Sequence, residues 1–559
     1  MNLKELERFA TWARLKLIDG VIYRAGEIGI TETGIATALE ESTEDLQIFD
    51  IGIGRPVELK DEKIHQRRSL VKAIRSRERG TDYKSAFNAV VEEVAYTWFN
   101  RLIAVRFMEI NNYLPSRIRI LSAEDPKKTE PDIVTTPFDA NLDLTEIERK
   151  RVVKLKNENR LDDLFCFLFI KQCNQLHNIL PELFEETADY SEILLPLSFT
   201  DQGGIVWHLV NDLDEAYFDL AKGGQIQVVG WLYQFYNVDL KETIFADLKK
   251  NIKITKEKIP AATQLFTPEW IVKYMVENSL GRLWLEGHPD KQLAEKWTYF
   301  MPAVKQPTYA AAKLVSIKAD AENLRPEEIR VIDPSMGSGH ILVCAFDVLM
   351  QIYESCGYTK AEAARLILEN NLYGLDIDKR AFQLAYFAVM MKAREFSRHI
   401  LDEGVRPHLY VTEDSRVLST DVIAVIAEDD QDIMLSLNSL AEDLREATEL
   451  GSMIHVRSID FESIYNRIEG LIESESCPEL YKDLFRKKVL PLLCQAKVMA
   501  QTYHVVVTNP PYMGNRSMGV KVSQFVKTHY PRSKSDLFAV FIEKGNRMTK
   551  PNGFNCMVT

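Results

Sequence analysis

The chain has 559 residues, with 69 Lys and Arg against 82 Asp and Glu, for a formal charge of −13. At 46% apolar and 27% charged residues its composition is that of a globular protein, which excludes a disordered tail, a collagen-like chain and a disulfide miniprotein. The length allows about three to five domain-sized units. The acidic balance argues against nonspecific coating of nucleic acid and leaves room for a local basic face.

The opening Met-Asn-Leu-Lys-Glu-Leu-Glu-Arg is charged and lacks the apolar h-region of a secretory signal. The longest apolar candidate, Leu164 to Ile170, falls short of the ~20 residues a bilayer span needs, so no membrane association is expected. Cysteines at 166, 173, 344, 356, 477, 494 and 556 form no C-x-x-C pair, which favours reduced thiols and a cytoplasmic location over disulfides or zinc. No metal-ligand cluster stands out.

In chain order, residues 1–250 read mainly as helix. Lys63 to Arg79 carries seven Lys or Arg against one Glu, a basic stretch suited to a phosphate backbone or to a solvated helix face. From Ser85 to Asn112, Phe87, Val90, Val91, Val94, Trp98, Leu102 and Val105 recur at helical steps. Tyr113-Leu-Pro ends that helix, and a second helical group spans about Leu144 to Ile193. Beyond residue 255 short apolar runs alternate with helical segments: Ile329 to Asp333, Leu372 to Asp376, His408 to Thr412 and His504 to Thr508. That alternation predicts a parallel sheet with crossover helices. The interval from Ser415 to Gln501 is longer than one crossover needs, and its Glu/Asp/Leu pattern predicts a helical insertion at 416–500.

Three segments carry chemistry. Val331-Ile-Asp-Pro-Ser-Met-Gly-Ser-Gly-His runs from a strand through Gly337 and Gly339 into a helix, so the backbone comes close to a ligand and a helix N-terminus faces an anionic group. Only two glycines are present, so this is not the dinucleotide fingerprint. Leu372-Tyr-Gly-Leu-Asp-Ile-Asp follows one helix later. Asp376 at its strand end is placed to accept hydrogen bonds from ribose hydroxyls, and Asp378 to cap the next helix. Thr508-Asn-Pro-Pro-Tyr512 closes the fourth strand. Its prolines donate no N–H and fix the backbone, leaving the Asn509 side-chain oxygen and the Pro510 carbonyl as rigid acceptors. Two such acceptors suit an exocyclic base amine, whose lone pair is otherwise delocalised into the ring. Tyr512 offers a face on which a flipped base stacks.

Taken in this order, Asp-Pro-Ser-Met-Gly-Ser-Gly, Gly-Leu-Asp-Ile-Asp and Asn-Pro-Pro-Tyr resemble the amino-methyltransferases that modify adenine N6 in DNA. Ala261 to Trp270, with Phe-Thr-Pro inside it, resembles the family's additional cofactor motif. The variant Met-Gly-Ser-Gly-His, the segment Glu93 to Glu109 and the long insertion liken the chain to the large methyltransferases of BREX-type phage defence. The resemblance implies a Rossmann-like α/β S-adenosylmethionine-dependent methyltransferase domain over 255–559, preceded by a mainly α-helical domain over 1–250. It implies S-adenosylmethionine as cofactor, double-stranded DNA with a flipped adenine as substrate, and other phage-defence proteins as partners. Carried over, Phe266, Thr267, Pro268, Asp333, Pro334, Met336, Gly337, Ser338, Gly339, Asp376, Ile377 and Asp414 hold the cofactor. Asn509, Pro510, Pro511 and Tyr512 form the catalytic loop. Ser535-Asp-Leu-Phe538 matches the segment after that loop, or else Asp536 caps a helix.

Members of this family are longer, with two more strands and a C-terminal target-recognition region, so the expectation is a truncated chain with an incomplete sheet. Two other readings stay open. Asp50 with Glu58-Leu-Lys60, beside the turn Ile51-Gly-Ile-Gly, has the spacing of a metal-dependent nuclease and would make a restriction–modification fusion. Alternatively, the helical half makes a noncatalytic DNA- or protein-binding assembly subunit. Cytosine N4 is the chemically close alternative target.

Overall fold

A computed structural model describes residues 2–52, 56–185, 190–250, 252–263, 265 and 267–559. Its internal contacts divide the chain into two units, 1–238 and 239–559.

The first unit is helical around a central rod. Helix α1 (Leu3–Glu27) starts where the Asn2 side chain accepts from the Lys4 amide, and it buries Leu6, Phe9, Ala10, Ala13, Leu17 and Val21 at three- and four-residue steps. Helix α2 (Glu62–Glu78) holds the basic stretch. Helix α3 (Tyr83–Ile110) begins at Asp82, whose carboxylate accepts from the Ser85 amide, and every residue from Ala95 to Ile110 except Thr97 is buried. α1 and α2 both pack on α3, and α4 (Leu161–Leu176) and α5 (Gln227–Tyr236) add further apolar faces. Two short hairpins interrupt the helical reading: β1 (Ile30–Thr31) with β2 (Gly34–Ile35), and β3 (Leu46–Phe49) with β4 (Val57–Lys60). After α4, residues 177–185 and 190–193 run in turns and loops instead of the expected helix.

The second unit is built on five parallel strands: β5 (Val331–Asp333), β6 (Leu372–Asp376), β7 (His408–Val411), β8 (Tyr503–Thr508) and β9 (Thr549–Met557). Their order across the sheet is β7-β6-β5-β8-β9. β5 is buried throughout, as strands covered on both faces are, and this is why they read as unbroken apolar runs. Helix α6 (His340–Ser355) follows β5 and α7 (Lys379–Phe396) follows β6. The chain leaves β5 for β6 on one side and later fills β8 on the other. The strand order therefore reverses between β5 and β8, opening a crevice at their carboxyl ends.

Between β7 and β8 the chain forms helices at Thr420–Ala427, Gln431–Asp443, Phe461–Glu473 and Leu490–Ala500. They are not a detached lobe. Ile423, Ile426, Leu437, Leu440, Ile464 and Ile468 share one apolar core with Ile332, Leu375 and Val506 of the sheet. Helix α8 (Leu537–Met548) leads into β9. Among the described residues, no helix is long and apolar enough to cross a membrane.

Candidate active site

The crevice is built from the turn that follows β5. Asp333 is 1% exposed, and its Oδ1 accepts from the Ser335 amide at 3.1 Å. The Met336 amide donates to the Leu375 carbonyl at 3.0 Å, and the Gly337 amide donates to Asp376 Oδ2 at 2.9 Å, so β6 shapes the turn. Gly339 has φ 80°, and a Cβ there would stand 2.9 Å from the Ala385 backbone of α7. Conformation and close approach both demand glycine at this point. Pro334 and Met336 are buried, Gly337 and Ser338 half-buried. α6 starts at Gly339 with no side-chain cap, which leaves its first N–H groups available to an anion.

Asp376 ends β6. Its Oδ1 accepts from the Asp378 amide at 2.8 Å, while Asp378 caps α7 by accepting from the Arg380 amide at 3.0 Å. Burial pushes the Asp333 and Asp376 carboxyls up to about 7 each, and mutual repulsion adds to the shift at Asp333. Ile377 is half-buried beside them. Asp414 is engaged elsewhere: its Oδ1 accepts from the Thr448 amide at 2.9 Å and hydroxyl at 2.7 Å, and its Oδ2 pairs with Arg416 at 3.3 Å.

β5 and β8 are direct neighbours, with Ile332 opposite Val506, so the first turn and the Asn-Pro-Pro-Tyr loop emerge side by side. Thr508 Oγ1 donates to Asp333 Oδ1 at 2.5 Å. Ser335 Oγ lies 2.7 Å from Thr508 Oγ1 and 3.3 Å from the Asn509 carbonyl. With the Thr508 proton committed to Asp333, Ser335 donates to one of these two. These hydroxyls stitch the two loops together, and sequence reasoning missed them. The only signal was their adjacency to Asp333 and Asn509.

The Asn509 amide is oriented from behind. Its Nδ2 donates to Thr267 Oγ1 at 3.0 Å and to the Leu265 carbonyl at 3.3 Å. A carbonyl only accepts, so the nitrogen must sit on that side and Oδ1 must face the other way. Thr267 is buried and Pro268 is exposed, while Phe266 lies outside the described residues. The Tyr512 hydroxyl stands 3.0 Å from Asn509 Oδ1 and 2.9 Å from the Val558 carbonyl. Pro510 is buried and Pro511 half-buried. Asp536 caps α8 and also accepts from the Met513 amide at 3.1 Å, tying the loop to that helix. The crevice thus gathers Thr267, Asp333, the Gly337–Gly339 turn, Asp376 and Asn509–Tyr512, and leaves Asp414 to the insertion.

The other candidates sit in the first unit. Asp50 accepts from the Gly52 amide at 2.9 Å, and Glu58 pairs with Lys60 at 3.6 Å, all exposed. Residues 53 and 54 of the proposed turn lie outside the described residues. No group of three or more His, Cys, Asp or Glu that would hold a metal occurs among the described residues. In α2, Arg67 is buried, donating to the Ile28 and Ala36 carbonyls at 2.8 and 2.7 Å with its guanidinium 3.7 Å over Phe49. Part of the basic stretch is therefore structural.

The crevice offers one buried carboxyl, Asp333, one half-buried carboxyl, Asp376, glycine backbone without Cβ, and an uncapped helix start. That donor set fits a ligand bearing an ammonium group, hydroxyls and a carboxylate. A family model described as Eco57I restriction-modification methylase matches residues 370–559. Along its whole length the chain is 39% identical over 579 residues to an adenine-specific methyltransferase PglX of Lacticaseibacillus casei (strain Zhang), covering 47% of that protein. It is likewise 36% identical over 586 residues to an adenine-specific methyltransferase BrxX of Escherichia coli O9:H4 (strain HS), covering 46%. The chain spans about half the length of these curated relatives. Over its whole length the chain is similar to the PglX and BrxX adenine-specific methyltransferases, and the methylase match spans the segment that holds Asn509.

Proposed function

We propose that the chain transfers a methyl group from S-adenosylmethionine to N6 of an adenine flipped out of duplex DNA. The observation that carries this reading is the Asn509 amide, held from behind by Thr267 and Leu265 so that Oδ1 and the neighbouring Pro510 carbonyl serve as two fixed acceptors. When bound, S-adenosylmethionine supplies a sulfonium methyl whose bonding electrons return to sulfur as N6 attacks. Accepting both N6 hydrogens draws the lone pair out of the ring and onto the nitrogen, where it is nucleophilic. Preorganised acceptors do this without reorganising during the reaction. The methylated amine then loses its extra proton to solvent water, because the two amide oxygens orient the amine without keeping a proton.

Tyr512 must first release Asn509 Oδ1. Its hydroxyl has the Val558 carbonyl as a second acceptor, so the release leaves no buried group unsatisfied. Its ring, 6.1 Å from Phe538, then stacks on the base. Asp333 holds the cofactor's ammonium, the Gly337–Gly339 turn and the start of α6 its carboxylate, and Asp376 its ribose. We assign Asp414 to holding Thr448 and leave it out of this set. Likeness to PglX and BrxX and the restriction-modification methylase match support a phage-defence or restriction–modification setting, with further defence proteins as partners.

Incubating the chain with duplex DNA and labelled S-adenosylmethionine, then identifying the labelled nucleoside, tests the reading. N6-methyladenine is expected, with a fall of roughly 100-fold or more in Asn509→Ala, the scale of losing one preorganised transition-state contact. Label on cytosine N4, or full activity in Asn509→Ala, overturns it.

A further inference from the structure

The segment Thr448–Ile454, inside the insertion between β7 and β8, contacts residues that flank the crevice. Thr448 holds Asp414 after β7. Gly451 has φ 57°, and a Cβ there would lie 2.6 Å from Ile377 Cγ2 at the end of β6. Ser452 is 4% exposed and donates through Oγ to the Pro334 carbonyl at 2.6 Å, inside the turn after β5. The next two carbonyls face the elements that follow the catalytic loop. Met453 O accepts from Tyr530 Oη at 2.6 Å, and Ile454 O from Lys544 Nζ at 2.8 Å. Tyr530 and Lys544 are both buried. Burying an ammonium is costly, and burial pushes Lys544 down to about 8. Spending that charge on a single main-chain carbonyl marks the strand of contacts as more than filler.

We propose that Thr448–Ile454 is an internal strap on the cofactor site, in which Ser452 is a positioning residue that fixes the Pro334 carbonyl and Gly451 keeps Ile377 at the cofactor's flank. The inference rests on the methyltransferase reading. Pro334 lies between Asp333, which takes the ammonium, and Ser335, which bonds toward Thr508 and Asn509. Without the Ser452 donor the Pro334 carbonyl is buried and unsatisfied, and the turn relaxes toward another partner. The turn is then no longer preformed, and cofactor binding must supply the ordering.

Calorimetric titration of S-adenosylmethionine into the parent chain and Ser452→Ala, beside thermal melts without ligand, tests this. The variant is expected to bind the cofactor roughly tenfold more weakly per folded molecule, the factor one buried hydrogen bond is worth. KM for the cofactor should rise in step while kcat at saturation holds, because the catalytic acceptors are untouched. A lowered melting temperature with unchanged Kd reduces Ser452 to a packing role and overturns the proposal, as does no change in either. If Ser452→Ala does not fold, Ser452→Cys, nearly isosteric and a weak donor, is read by the same criteria. Absence of binding in the parent overturns the methyltransferase reading itself, and the strap with it.

Discussion

Asp333 keeps both of its hydrogen bonds, from Thr508 and from Ser335, on a single carboxylate oxygen. An asparagine accepts the same two bonds through its carbonyl, so the charge of Asp333 is not needed for the fold. It is a cost. Burial raises the folded carboxyl to about 7, against ~3.9 when unfolded, so the folded state holds its proton more tightly. Stability from this group is complete below about pH 4 and is lost as pH rises through 7, at ~1.4 kcal/mol per pH unit between the two values. Asp333→Asn should therefore melt higher than the parent at pH 8, with the gap closing toward pH 5. Cofactor affinity should move the opposite way, because the variant cannot balance an ammonium. In the parent that affinity should climb from pH 6 to 8 as the carboxyl ionises. A variant that melts lower at pH 8 would sink the argument. The residue then exchanges stability for binding, as functional sites do.

At the scale of elements, α3 shows what a hydrophobic period conceals. Its apolar recurrence is plain in the sequence, yet Arg106 and Glu109, which resemble a solvated pair at helical spacing, are 1% and 2% exposed. Glu109 accepts from Arg106 at 2.6 Å, from Ser122 at 3.0 Å, and from the Ile120 and Leu121 amides at 2.8 Å each. Arg119 closes the cluster on Glu215. Removing one partner strands the others, so Glu109→Ala should cost about 3–5 kcal/mol in urea unfolding, where a solvated pair would cost under about 1 kcal/mol. The same blindness applied to the site. Asn509–Tyr512, Asp333 and Asp376 were legible because their chemistry is local to a strand end. Ser335, Thr508 and Ser452 were not, because a hydroxyl declares its partner only once sheet order brings distant turns together. The hairpins β1–β4 were missed since four residues or fewer carry no period, and the insertion's packing on the sheet was not legible because core sharing leaves no mark on spacing.

At the scale of the whole molecule, all the residues proposed to hold the cofactor lie in one of the two units. Contacts separate residues 1–238 from 239–559, and the apolar core that contains Ile332, Leu375 and Val506 draws all its members, from Ile244 to Met548, out of the second set. The α3 cluster with Arg106 and Glu109 lies wholly in the first. Two cores with separate membership should unfold as two calorimetric transitions. S-adenosylmethionine at 100 times its Kd stabilises whatever binds it by about 2.7 kcal/mol, and it should raise only the transition of 239–559. Glu109→Ala should lower only the other. Scanning calorimetry of the parent and Glu109→Ala, each with and without cofactor, gives four traces from which the assignment can be read. Ser452→Ala adds a further pair, in which the cofactor-induced rise shrinks by the same tenfold factor in Kd, about 1.4 kcal/mol. A single transition displaced by both the ligand and Glu109→Ala would mean that the two cores melt as one cooperative body, and that cofactor binding in the crevice is felt as far as α3.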